Sequence, residues 1–159
     1  MQLLLPTELD ARLVAALKRA KFSEIGGIVM GQHVDVDLFR IDDVTIQDRG
    51  GSFASFVRNV GFAIQSLNRY FTRTNRDYRR FNYLGEWHSH PSFKAEPSPR
   101  DEQTMRDILD DPKVGANFVV LIVVKLDTSS ELEATATVFV PGQRPYRANL
   151  IMEVSNGGV

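Results

Sequence analysis

Apolar positions recur at helical spacing in three parts of the chain and alternate or run together in the parts between. After Thr7, a residue type that caps helices, Leu9, Leu13, Ala16 and Leu17 predict an amphipathic helix ending near residue 20. Ile64, Leu67 and Phe71 predict a second helix from 60 to about 76, and a third is expected from 99 to about 109. Between the first two, Gly26 and Gly27 lead into Ile28 and Val29. β-Branched residues then alternate as far as Val44 and Ile46, which reads as two strands with a turn around 32–37. The segment 53–58, FASFVR, is a candidate short strand. Further strands are expected at 84–90, 117–125, 135–140 and 146–154, the last two separated by the turn sequence PGQRP. The run FVVLIVV is apolar at every position, so its strand should be central and covered on both faces. The order is mixed α/β, with no internal repeat and a frayed end at SNGGV.

Composition narrows the possibilities. A chain of 159 residues suits one domain, and 43% hydrophobic with 25% charged residues excludes a disordered or fibrous protein. A formal charge of −1 supplies no global pull toward nucleic acid or anionic membranes. The chain has no cysteine, which removes disulfides, thiolate nucleophiles and Cys-based zinc sites, and leaves histidines and carboxylates as metal ligands. MQLLLPTELDARL lacks a basic leader and has an early proline, and the seven-residue run FVVLIVV is far short of the roughly 20 residues that cross a bilayer. A cytoplasmic, soluble protein without a membrane partner is expected.

Chemistry concentrates in GEWHSHPSFKAEPSPRD, residues 85–101, which holds two of the three histidines. On a strand, His88 and His90 share one face and form a bidentate clamp. Pro91 ends that strand, and Pro97 and Pro99 bracket Ser98, which reads as the N-cap of the third helix with Pro99 at its first position. Asp101, three residues on, lies on the same helix face as Ser98. Ser-x-x-Asp at a helix start is explained by capping alone. The conjunction adds something: two imidazoles followed by a carboxylate, with no fourth protein ligand, would leave an open position on a tetrahedral metal, as catalytic zinc sites do.

His88-Ser89-His90-Pro91, six residues, then Ser98-x-x-Asp101, resembles the signature of the JAMM (JAB1/MPN/Mov34) metalloproteases. An upstream segment of that family, Glu-x-Gly-Gly-x-x-x-Gly, is matched by Glu24-Ile25-Gly26-Gly27-Ile28-Val29-Met30-Gly31. The resemblance implies a JAB/MPN-like (cytidine-deaminase-like) fold over residues 1–159, a mixed curved β-sheet flanked by helices in a single domain. It makes His88, His90 and Asp101 the ligands of Zn2+, Glu24 the general acid/base and Ser98 a donor to the developing oxyanion. It also implies a zinc-dependent isopeptidase that cuts after the C-terminal glycine of a ubiquitin-like modifier. The short format, with no room after Asp101 for a long second insertion, is similar to stand-alone bacterial deconjugases of ubiquitin-like pathways, including antiphage systems of the CBASS and Bil types. Partners would then be a ubiquitin-like protein, its conjugates, or E1/E2-like enzymes. Alternatives are a protease maturing a ubiquitin-like or sulfur-carrier precursor, and a non-catalytic MPN scaffold or adaptor; retention of all five positions argues against the scaffold.

Other residues compete for roles. Glu86 shares the strand face of the histidines and is either a partner that orients an imidazole or an edge charge. His33, Asp35 and Asp37 alternate and imitate a second metal site, although HVDVD more simply describes an exposed face near a turn. Trp87 should pack in the core opposite the histidines. Gly26 and Gly27 either keep backbone bare beside a substrate or mark a bulge. Arg69, Arg73, Arg76 and Arg80 form a basic stripe that suits a solvated helix face better than a nucleic-acid or acidic partner. Deaminase, zincin and serine-hydrolase patterns are absent.

Overall fold

Among the described residues, 1–47 and 60–154, the computed structural model holds seven strands and three helices. In chain order these are β1 (Gln2–Pro6), α1 (Thr7–Ala20), β2 (Gly26–Asp35), β3 (Leu38–Val44) and α2 (Val60–Arg73). They continue with β4 (Phe81–Ser89), α3 (Pro99–Asp110), β5 (Val119–Leu126), β6 (Leu132–Phe139) and β7 (Tyr146–Glu153). The strand expected at 53–58 lies outside the described residues.

The α/β class holds, but the expected curved sheet is a closed barrel in the order β1-β3-β2-β4-β5-β6-β7. Closure is the work of β1, an element the hydrophobic pattern did not announce. Three consecutive leucines show no alternation, yet Leu3 and Leu5 are buried while Gln2 is exposed. The strand pairs in parallel with β3 on one side and β7 on the other, from Gln2 opposite Asn149 to Pro6 opposite Glu153. α1 follows at once and sends Leu9, Leu13, Ala16 and Leu17 into the same core as the inward faces of the strands. Thr7 does not cap this helix: Pro6 occupies the cap position, and the Thr7 hydroxyl instead donates to the Glu153 carbonyl at 3.0 Å.

β5 fulfils the two-faced expectation. Val120, Ile122 and Val124 join the inner core, whereas Val119, Leu121 and Val123 pack outward against α3 around Met105. α2 covers a second outer patch, where Tyr70 packs beside Ile28 and Met30 of β2. Trp87 points inward as expected, and its Nε1 donates to the Thr45 carbonyl at 2.7 Å. Burying such a side chain contributes on the order of 4 kcal/mol. The hairpin between β2 and β3 turns only at residues 36 and 37, later than the sequence suggested. α2 stops at Arg73, and Asn75 and Arg76 take left-handed conformations with φ of 54° and 56°. The predicted arginine stripe is therefore broken: Arg73 pairs with Asp43, and Arg80 lies over the Phe81 ring.

β4 pairs with β2 along nearly its whole length and gains a second partner part-way along. A bulge falls between its pairings Gly85–Val29 and Tyr83–Met30, and β4 takes up parallel pairing with β5 from Gly85 opposite Val120. Gly85 has φ 150°, and a Cβ there would collide with the backbone of Val120. Gly85→Ala should therefore destabilise the protein by about 3 kcal/mol, read as a lower urea midpoint at unchanged m-value.

Candidate metal centre

The chain reverses direction at the end of β4, and the reversal gathers polar groups at one end of the barrel. β4 and β5 run parallel, so their carboxyl ends open on the same side, where crossover connections of α/β folds place ligand sites. His90 lies just beyond β4 and remains tied to the sheet by its N–H, which donates to the Val124 carbonyl at 2.9 Å. α3 then begins over the same opening. Ser98 caps it as expected: its hydroxyl oxygen accepts from Asp101 N–H at 3.2 Å, and Asp101 Oδ2 accepts from Ser98 N–H at 2.7 Å. Capping and site-building are not alternatives here, because one carboxylate does both.

His88, His90 and Asp101 converge and are all buried. The two Nε2 atoms are 3.0 Å apart, and Asp101 Oδ2 stands 3.4 Å from His88 Nε2 and 3.5 Å from His90 Nε2. Ligands about 2.0–2.1 Å from a tetrahedral metal lie about 3.3 Å from one another, so this triangle fits such an ion. The Lys94 carbonyl, 3.0 Å from His90 Nδ1, can only accept. It therefore fixes the tautomer with the proton on Nδ1 and leaves the Nε2 lone pair facing the other donors. Burial works against ionisation of Asp101, but the bonds and charge of His88 and the Ser98 bonds outweigh it, holding the carboxyl at about 2. It is an anion at any ordinary pH.

These residues line a cavity of about 540 Å³ together with Glu24, Phe93, Lys94, Glu96, Ser98 and Arg100. Glu24, half-buried two residues before β2 begins, faces the same space as the three convergent side chains. All five residues singled out in the sequence thus border one cavity.

Residues 6–137 match Prok-JAB, the prokaryotic homologs of the JAB domain. The chain belongs to the prokaryotic JAB-domain family. Among solved structures, the JAB domain resembles a protein of Desulfitobacterium hafniense at TM-score 0.64 and 15% identity, over 97% of this chain and 94% of that one. A protein of Salinibacter ruber is similar at TM-score 0.56 and 16% identity, over 100% and 95%. At such identities the likeness speaks for the fold. No curated protein gives a significant match.

Several expectations for this JAB domain need correction. Glu86 is neither an edge charge nor bonded to an imidazole: it is buried and accepts from the Tyr83 hydroxyl at 2.7 Å. Burial raises its pKa to about 8 against the opposing effect of the Tyr83 bond. His33, Asp35 and Asp37 do not converge. The His33 ring packs on Phe39, and Asp37 pairs with the Met1 amine at 2.7 Å. Gly26 and Gly27 neither face the cavity nor form the bulge; a Cβ on Gly26 would stand 2.5 Å from the Trp87 carbonyl oxygen, and one on Gly27 would strike Thr45. The sequence reading missed the segment 93–97, which walls the cavity and supplies the carbonyl for His90; its prolines and loop composition gave no sign of that role. Among the described residues, no helix is long and apolar enough to cross a membrane.

The triangle should bind one divalent ion per chain, with His88→Ala and Asp101→Ala each lowering affinity at least 10-fold, as read by titration calorimetry. In the metal-free protein, Glu86 is protonated when folded and ionised when unfolded between pH 4.5 and about 8. The unfolded state then holds fewer protons, so stability declines as pH rises through that window. Glu86→Gln should flatten the decline and be more stable than wild type at pH 8 in urea melts.

Proposed function

We propose that this JAB domain is a JAMM-type zinc peptidase that hydrolyses the bond after the C-terminal glycine of a ubiquitin-like modifier, releasing it from conjugates. The observation that carries the reading is the shared cavity: two imidazoles and a carboxylate at mutual distances suited to a tetrahedral ion, with Glu24 and Ser98 on the same walls. His88, His90 and Asp101 would hold the metal. When bound, it would supply Lewis acidity, lowering the pKa of water from 15.7 toward about 7 and polarising a carbonyl.

The remaining chemistry belongs to the chain. Glu24 takes the proton of the attacking water and returns it to the departing amine, a task for a carboxylate open to the cavity. The Ser98 hydroxyl accepts from Asp101 N–H through its oxygen, which leaves its own proton to donate to the carbonyl oxygen as charge builds there. The Asp101 carboxylate balances positive charge and stays ionised because Ser98 N–H and His88 stabilise it. An extended tail also has a place to pair. β6 pairs with β7 only at 136–138, and its earlier part lies beside the cavity wall, where the Thr135 hydroxyl donates to the Ala95 carbonyl. Strand addition there would present backbone rather than side chains to the site, which suits a glycine-rich tail. A bacterial ubiquitin-like conjugation pathway, of the kind found in antiphage systems, is the setting this reading favours.

The test uses fusions of ubiquitin-like proteins that end in glycine, joined through that glycine to a reporter or to a lysine side chain. Cleavage after the glycine is expected, abolished by chelation and restored by Zn2+. Glu24→Ala should lower kcat about 10²–10⁴-fold and Ser98→Ala about 10²–10³-fold. Cleavage that survives both chelation and Glu24→Ala would remove the proposal.

A further inference from the structure

Ser89 stands between the two histidines, and alternation turns its side chain away from them, toward β2. It is fully buried. Its N–H donates to the Ile25 carbonyl at 2.8 Å, and its hydroxyl oxygen accepts from Ile25 N–H at 3.0 Å. In a regular antiparallel pair the second bond would run to the Ser89 carbonyl. Here the hydroxyl takes it, so β2 peels away from β4 at this residue while Ile25 keeps both backbone groups satisfied. Ile25 is the residue after Glu24, and its side chain is locked in the core. One step further, Gly26 lies opposite His88, so close that a Cβ would come within 3.1 Å of His88 Cβ.

We propose that Ser89 is a positioning residue: its hydroxyl ends the β2–β4 ladder and aims Glu24 into the cavity, coupling the acid to the strand that carries His88 and His90. The inference rests on the reading of Glu24 as the proton carrier. Ser89 touches no reacting atom, and Ser89→Ala leaves His88, His90 and Asp101 in place. What it removes is the acceptor of a buried N–H, and the peptide bearing Glu24 must then seek another partner.

The experiment compares Ser89→Ala, Ser89→Thr, Glu24→Ala and the Ser89→Ala/Glu24→Ala double variant with wild type. The probe is the set of glycine-linked fusions used above. Ser89→Cys, of similar size with a weaker acceptor, replaces Ala should that variant not fold. Ser89→Ala should lose about 10–100-fold in kcat at unchanged KM, since a misplacement of about 1 Å at a reacting group costs up to about 10²-fold. Metal binding should stay at one ion per chain, Ser89→Thr should recover most of the rate, and the Ala substitution should cost nothing more once Glu24 is gone. In the metal-free protein, amide exchange at Ile25 should quicken at least 10-fold with that at Ile28 unchanged.

Wild-type kcat in Ser89→Ala, a loss that adds in full to that of Glu24→Ala, or a loss that tracks lost metal would overturn the positioning role alone. An inactive wild type, or an active Glu24→Ala, overturns the hydrolase reading and this inference with it.

Discussion

Everything at the open end of this barrel depends on the two-residue period of β4. Trp87 must go inward, where the core receives its ring and the Thr45 carbonyl accepts a hydrogen bond from its Nε1–H. That commits His88 to the opposite side, and His90, held to Val124 by its N–H, repeats the commitment one pleat on. A slip of one residue would exchange the indole for an imidazole and destroy core and site together. The register is protected from both neighbours: β5 pairs with β4 from Gly85 to Ser89, and Gly26 lets β2 approach β4 closer than any side chain would permit.

Asp101 and His90 are held in place before any ion arrives. Asp101 exchanges bonds with Ser98 as a helix cap, an arrangement that contributes about 1 kcal/mol in ordinary helices. His90 is fixed by the Lys94 carbonyl, which places its proton on the nitrogen away from the other donors. Each of these contacts is local to the segment between β4 and α3. Their common product is a triangle of donors brought together by strand pleating and helix capping, the two most elementary regularities of the backbone.

Legibility in the sequence followed the same line. Helices α1 and α3, strands β2 to β7 and the apolar double face of β5 were readable because each is governed by a local period. His88, His90, Ser98 and Asp101 were readable because their spacing is local too, set by one strand, one turn and one cap. Glu24 could be singled out only by resemblance, since nothing in a linear chain says that residue 24 meets residue 88. β1 was hidden because three leucines in a row have no period, and its pairing with β7 spans almost the whole chain. The environment of Glu86 was hidden for a related reason. Alternation gave its face correctly, but whether that face met water or helices is a fact of packing.

Glu86 also shows what the barrel tolerates. A carboxyl is buried two residues from His88, yet its bond goes to Tyr83 and its raised pKa keeps it neutral through much of the physiological range. Neutrality has a consequence for its neighbours. An ionised Glu86 would place a second anion behind His88 in a low-dielectric layer, whereas a protonated one leaves Asp101 as the charged carboxylate of the triangle. Two acids on adjoining elements are thus separated by environment into one that is always charged and one that mostly is not. The separation requires no special residue: Asp101 sits at a helix N-terminus with N–H donors and imidazoles around it, and Glu86 is buried with the Tyr83 phenol as its hydrogen-bond donor.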